Sequence, residues 1–220
     1  MILVAICEIG NTKSIKVGMV EVNYREGVMS LIPEFELGLW NAWIFMVPFL
    51  LVTLLSILVM TRKGAPPGAE SKRVSKTTLL CGIVTKFIIF PAVIYSVFLP
   101  LELGTIWFYV GLPIMLIGLV GNIVVFANWA NTPSGEPVTR GLYHYSRHPM
   151  YVTTVLLLLG VCIASTSWVF LLFPIIVGFG AVCFIKIEEA FTLGHYGAAY
   201  REYMDRTPRW IGIPKSKKRD

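Results

Sequence analysis

Long apolar runs recur along most of this chain and constrain its fold more than any other feature. The runs lie at about residues 39–60, 79–99, 105–126, 151–164 and 168–187. A helix needs about 20 apolar residues to cross the hydrocarbon core of a bilayer, and every run except the fourth reaches that length. Only 15% of the residues are charged, against about 25% in soluble domains. The sequence predicts an all-α, integral membrane helical bundle of about five transmembrane helices, followed by a cytoplasmic C-terminal amphipathic helix.

The basic residues predict how this bundle is oriented. The loop after the first run, the loop before the fourth and the C-terminal KSKKR are basic, whereas the connections PLELG and STS contain no Lys or Arg. Basic loops are enriched on the cytoplasmic side. We therefore expect a multi-pass protein of the plasma or inner membrane, or of the endoplasmic reticulum in a eukaryote, with its N-terminus outside and its C-terminus cytoplasmic. This arrangement accounts for the net charge of +6, so nucleic acid is not an expected partner.

The beginning of the chain differs from the rest. It is mixed in composition and partly alternating, as in SIKVGMVEVNY. We expect an N-terminal extramembrane segment at residues 1–38 and a membrane domain at residues 39–220. A later start at Met19 or Met29 stays open, and no secretory signal peptide is expected because MILVAIC lacks a basic leader.

The fourth run is too short to cross a bilayer alone. Pro149 suits the first position of a helix, where a missing N–H costs nothing. A helix from there to Ala164 is about 24 Å long, whereas the hydrocarbon core is about 30 Å thick. We therefore expect Arg147 and His148 to lie at or below the headgroup boundary on the cytoplasmic side, where a charge is costly unless it has a partner.

Glu188 and Glu189 are the expected partners, because a hairpin at STS returns the end of the fifth helix to the start of the fourth. Adjacent residues on a helix point about 100° apart. One glutamate can therefore meet Arg147 while the other faces a ligand. A plain salt bridge that closes the hairpin stays an alternative.

Three motifs around these residues carry a resemblance to a known family. VTRGLYHYSRHPMY, then the Glu pair, then YGAAYREYMDRTPRWIG resemble the isoprenylcysteine carboxyl methyltransferase and phospholipid methyltransferase superfamily. The resemblance covers about residues 128–212. It implies that 39–220 is a membrane methyltransferase domain that uses S-adenosylmethionine, acts on a lipidic or prenylated small molecule at the cytoplasmic side, and is surrounded by membrane lipids. Both a prenylcysteine-like carboxylate and an amine head group stay open as the methylated group.

The resemblance also implies the site residues, within a cofactor-binding part at 128–212. The implied cofactor-binding residues are Asn128, Gly135, Glu136, Pro137, Val138, Gly141, Tyr143, His148, Pro149, Met150, Tyr151 and Glu188. Glu188 would accept hydrogen bonds from the ammonium or the ribose hydroxyls of S-adenosylmethionine, and aromatic rings would cover the sulfonium or the adenine. Arg147 and Glu189 are the expected catalytic residues: Arg147 would attract a carboxylate, and Glu189 or a histidine would take the proton of an amine.

Some residues depart from the family's pattern and leave alternatives. Phe184 stands where eukaryotic isoprenylcysteine enzymes have a substrate-binding arginine, and Thr192 stands where the family often has Leu. The main alternative is a membrane enzyme similar to NADPH-dependent sterol or steroid reductases, which share R-H-P-x-Y but commonly have Asn at the position of Met150. A non-catalytic membrane scaffold is the third possibility.

No metal site is expected. His144 and His148 have the spacing of two ligands on one helix face, but the third histidine, His195, lies beyond the Glu pair, and the four cysteines form no CxxC motif.

Two further patterns have structural interpretations. Small residues in the third run would let neighbouring helices approach closely; they are Gly111, Gly118 and Gly121. Tyr196, Tyr200 and Tyr203 form a helical stripe that we interpret as an interfacial aromatic belt.

Overall fold

A computed structural model describes residues 6–9, 12–17, 20–25, 37–63, 80, 83–84 and 87–215. Its first elements are three short strands, β1 (Ile6–Ile9), β2 (Thr12–Val17) and β3 (Val20–Arg25), which pair antiparallel in the order β1-β2-β3. The alternation of SIKVGMVEVNY is the period of a strand, which explains this sheet. The predicted all-α class therefore holds for the described residues from 37 on, and the sheet stands before it, within the predicted extramembrane segment.

The remaining described elements are helical. The α-helices are α1 (Trp43–Lys63), α2 (Ile89–Val97), α3 (Ile106–Ala130), α4 (Pro149–Ala164), α5 (Leu172–Tyr196) and α6 (Ala198–Arg206), with a 3₁₀ turn at Gly141–His144 before α4. They follow the predicted apolar runs, although five residues of the run at 79–99 lie outside the described part of the chain.

One described helix, α3, is long and apolar enough by itself to cross a bilayer. It has 25 residues and a mean hydropathy of 2.3, whereas α4 and the apolar part of α1 are shorter. Helix α5 also has 25 residues, but its second half contains Lys186, Glu188 and Glu189. The number of five transmembrane helices, their orientation and the cytoplasmic amphipathic helix stay predictions.

Helices α3 and α4 are in direct backbone contact. A Cβ atom at Gly118 of α3 would overlap the backbone of Leu157, and one at Gly160 of α4 would overlap the backbone of Met115. The close approach predicted from the glycines of the third run is therefore confirmed. Two buried side chains add a polar link, because the Thr154 hydroxyl donates a hydrogen bond to Oδ1 of Asn122 at 3.2 Å.

Helices α4 and α5 form the predicted hairpin. Their connection begins with Ser165, Thr166 and Ser167, all buried, and the Ser167 hydroxyl accepts a hydrogen bond from the Phe170 N–H at 3.2 Å. Helix α4 begins at Pro149, as the sequence predicts. The hairpin returns the second half of α5 to the start of α4 and so determines where the charged residues of the two helices meet.

Candidate active site

The buried carboxylate of Glu189 is the centre of the polar cluster at the start of α4. Its Oε1 atom lies 3.0 Å from Nη1 of Arg147 and 3.2 Å from Nε2 of His148. Arg209 binds the same carboxylate through two nitrogens, with Nε 3.1 Å from Oε1 and Nη2 2.6 Å from Oε2. The ion pair with Arg147 was expected from the depth of α4, whereas the two-pronged contact of Arg209 was not.

The neighbouring Glu188 has a different environment. Its side chain is 37% exposed, and Nδ1 of His148 lies 3.8 Å from its Oε2 atom. The Tyr151 hydroxyl donates a hydrogen bond to Oε2 at 3.1 Å. Adjacent glutamates on one helix therefore have different surroundings: two arginines neutralise Glu189, while Glu188 keeps carboxylate surface that a ligand can reach.

The protonation states follow from these contacts, and both groups lie outside the predicted spans 151–164 and 168–187. Burial is the largest influence on Glu189 and would raise its pKa, but Arg209, Arg147 and His148 together outweigh it and lower the pKa. Burial also lowers the pKa of His148, against the opposing effect of the two glutamates. At neutral pH the site therefore contains ionised Glu189 beside a neutral imidazole. If Nε2 carries the proton and donates it to Glu189, the Nδ1 atom is free to accept one.

The loop between α3 and α4 has one position that only glycine fits. Gly141 has a φ of 62°, in the left-handed region, and a Cβ atom there would overlap the side chain of Asn128. Asn128 lies in the last turn of α3, and its Nδ2 atom is buried with no hydrogen-bond partner among the described residues; the same holds for Nε of Arg147. Both atoms are hydrogen-bond donors, and buried donors without partners are costly. Each of these two donors would be satisfied by an acceptor that a ligand or water supplies.

The other residues that the resemblance implies lie in the loop after α3, the 3₁₀ turn and the first turn of α4. Tyr143 is in the 3₁₀ turn, and burial raises its pKa. Pro149 is buried and Met150 exposed in the first turn of α4. The four residues Gly135, Glu136, Pro137 and Val138 lie in the loop after α3, the first two exposed and the others half-buried. No contact in the described part of the chain joins that loop to Glu188, so its role in cofactor binding stays a prediction.

Residues 207–213, which we call the C-terminal strap, lie against the loop before α4. The Arg147 N–H donates to the Pro208 carbonyl, and the Gly212 N–H donates to the Tyr145 carbonyl, both at 3.0 Å. These bonds hold the strap in place and bring Arg209 to Glu189. The motif containing TPRW was visible in the sequence, but a role for Arg209 depends on a contact across 20 residues that no local pattern shows.

The interpretation of the tyrosines as an aromatic belt is wrong for Tyr200 and Tyr203. Both are buried, and the chain turns at Gly197, between α5 and α6, so the three tyrosines do not share one helix face. The Tyr203 hydroxyl donates to the Tyr143 carbonyl at 2.6 Å. These residues therefore position the site loop instead of lying at a membrane surface.

The two histidines considered as metal ligands have different surroundings. His144 is exposed in the 3₁₀ turn, whereas His148 is buried between the glutamates. Among the described residues, no group of three or more His, Cys, Asp or Glu side chains is placed to hold a metal ion.

Comparison with protein families identifies the segment that contains this cluster. Residues 107–199 match the family model of the phospholipid methyltransferases. This segment is a phospholipid methyltransferase domain. The resemblance inferred from the motifs is thereby confirmed, and a methyltransferase is favoured over the reductase alternative. The matched residues begin in the first turn of α3 and end in the first turn of α6, so the C-terminal strap lies beyond them. No curated protein matches the chain.

Proposed function

We propose that this protein is an integral membrane methyltransferase that moves the methyl group of S-adenosylmethionine to a lipidic substrate at the cytoplasmic side of the bilayer. The observation that carries the proposal is the unequal glutamate pair inside a phospholipid methyltransferase domain. Glu189 is neutralised by Arg147 and Arg209, whereas Glu188 keeps an exposed carboxylate beside Tyr151. The apolar helix α3 within the same domain supports a membrane location.

The residues present fit the cofactor. When bound, S-adenosylmethionine supplies a methyl group activated by the sulfonium, and it also has a carboxylate, an ammonium and ribose hydroxyls. The buried donors without partners, Nδ2 of Asn128 and Nε of Arg147, suit the carboxylate. The accessible carboxylate of Glu188 suits the ammonium or the hydroxyls. The ring of Tyr151, held by its bond to Glu188, can cover an adjacent cation.

The geometry divides the catalytic roles. Because three donors occupy the oxygens of Glu189 and its pKa is lowered, this carboxylate is a poor proton acceptor; we assign it to orienting His148 and holding Arg147. An amine substrate must lose a proton before it attacks, and Nδ1 of the neutral imidazole of His148 takes it. A carboxylate substrate is already ionised and needs no base. In both cases the chain's main work is to position the reactants and to exclude water.

Cofactor binding by purified protein in detergent tests the proposal. We expect wild-type protein to bind S-adenosylmethionine and Glu188→Gln to bind it about 10- to 100-fold more weakly, since a hydrogen bond to a charged group contributes about 1.5–3 kcal/mol. Glu202→Gln is the matched control, because Glu202 is an exposed residue of α6 that forms an ion pair with Arg206. Isothermal titration calorimetry gives the affinities. Binding of NADPH with none of S-adenosylmethionine would refute the proposal.

The methylated group can be identified in the same preparation. Protein incubated with methyl-labelled cofactor and lipid extracts should transfer label to a lipid product. A base-labile product indicates a carboxyl ester, and a base-stable product indicates a methylated amine.

A further inference from the structure

An apolar groove of about 270 Å³ lies between α4 and α5 beside the glutamate cluster. Its lining is contributed by Tyr151, Val152, Val155 and Leu156 of α4, Gly178 and Ala181 of α5, and Trp210 of the C-terminal strap. The surface that these residues turn to the groove is apolar, and the Tyr151 hydroxyl is directed to Glu188. A polar ligand would lose its hydrogen bonds with water in such a groove and gain none. The lining therefore selects for hydrocarbon.

The groove and the candidate active site share Tyr151. The ring of this residue lines the groove, while its hydroxyl bonds the glutamate that we assign to the cofactor. A chain that occupies the groove would therefore hold its polar end close to the reacting groups.

Exposed apolar side chains follow two residues of the lining on α5. Phe179 and Val182, next in sequence to Gly178 and Ala181, are 68% and 57% exposed. In a bilayer these side chains would contact lipid. A hydrocarbon chain could then move from the bilayer into the groove sideways, without crossing water.

We propose that this groove binds one hydrocarbon chain of the lipid substrate and that Gly178 and Trp210 determine which chains fit. The proposal rests on the proposed function and names the part of the substrate that the protein recognises. Gly178 leaves the groove open, since no atom lies within 4 Å of a Cβ placed there. Trp210 forms the wall contributed by the strap, which the bond from Arg209 to Glu189 holds in place.

Filling the groove tests the proposal. In Gly178→Phe the Cβ atom meets no atom within 4 Å, and the ring is attached at a residue of the groove lining. Gly194→Phe is the matched control, because Gly194 is also in α5, also has open space at its Cβ position, and is not part of the lining. Cofactor affinity of both variants checks that they are folded.

The probes are two series of single-chain lipids with increasing chain length, lysophosphatidylethanolamines and N-acetyl-S-alkylcysteines. Because a chain that enters from lipid or detergent leaves an apolar phase, its gain comes from contacts with the groove lining, which a short chain leaves unfilled. KM of wild-type protein should therefore be lowest for the chain length that fills the groove. We expect Gly178→Phe to lose this dependence and Gly194→Phe to keep it. A Gly178→Phe variant that binds cofactor and keeps the wild-type dependence of KM on chain length would overturn the proposed role of the groove, although not the proposed function. Wild-type protein that neither binds cofactor nor methylates either series would overturn the proposed function.

Crosslinking tests the groove without catalysis. A lysophosphatidylethanolamine with a diazirine at the end of its chain should label peptides that contain residues 152–156 and 178–181 in wild-type protein. The labelling should be lost in Gly178→Phe and kept in Gly194→Phe. Labelling confined to other helices in wild-type protein would contradict the proposal.

Discussion

Helix α4 has different contacts with its two neighbours. Towards α3 the backbones touch, and a side chain at Gly118 or Gly160 would not fit. Towards α5 the helices enclose an apolar groove, and Gly178 faces open space. Glycine therefore has opposite effects on the two sides of α4: it allows close packing against α3, and it leaves a groove open towards α5. The closed side provides a rigid wall, and the open side, which also contains the glutamate pair, is where a substrate can bind.

The largest effect on stability is expected on the closed side of α4, where it contacts α3. Gly118→Leu would drive a side chain into the backbone of Leu157, and we expect a loss of about 3 kcal/mol in the free energy of unfolding. Gly194→Leu, in open space on α5, is the control and should change stability little. Denaturant unfolding in detergent, followed by circular dichroism, measures both. Equal stability of the two variants would mean that α3 and α4 are not in backbone contact.

An intermediate effect is expected where the strap closes the open side. The side chain of Arg209 is 39% exposed. We therefore expect Arg209→Ala to lower the free energy of unfolding by only about 1–2 kcal/mol, a value between that of an exposed ion pair and that of a buried hydrogen bond to a charged group. Arg209→Lys should recover part of this loss, since it keeps the charge but not the two-pronged geometry.

The pH dependence of that loss identifies its cause. Arg209 helps to lower the pKa of Glu189 in the folded protein. The stability from this interaction is therefore fully present above the unfolded pKa of about 4.3 and is lost as the pH falls through the lower folded pKa. The difference between wild type and Arg209→Ala should be largest near pH 7 and shrink in acid. A difference that does not change with pH would show that Arg209 acts only through packing.

The smallest effect on stability is expected in the groove itself, where the substitution should stabilise the protein. Gly178→Ala meets no atom within 4 Å and replaces a glycine inside a helix, so it should raise the free energy of unfolding by about 0.5–1 kcal/mol. Gly118→Ala is the counterpart on the closed side and should lower it. If both substitutions stabilise the protein, the contrast between the two sides of α4 is not real.

The positions of the apolar helices along the chain were largely predictable from the sequence. Apolar runs indicate where helices lie because the hydrophobic pattern is a local property of the sequence. Pro149 marked the start of α4 because a proline, which lacks an N–H, suits the first position of a helix. The pairing of Arg147 with one glutamate of the pair was also predictable, since it needed only the hairpin and the cost of a buried charge. The strands at residues 6–25 left a visible alternation, although it did not enter the predicted fold class.

The detailed arrangement of the site was not predictable in the same way. Sequence periodicity does not determine how a helix is rotated about its axis in a bundle, so it could not decide which glutamate would be enclosed. Arg209, Tyr203 and Trp210 act through contacts with residues far away in the chain, and their own neighbours in sequence give no sign of those contacts.

The sequence by itself determined the helices from Trp43 on, the α4–α5 hairpin and the family of the domain at 107–199. These depend on local composition and on a motif whose residues can be read one by one. Only the tertiary structure decided that Glu189 is neutralised and Glu188 left accessible, that the strap closes over the cluster, and that a groove separates α4 from α5. The physical reason is that burial, hydrogen bonding and empty space are properties of the packed helices together and of no segment alone.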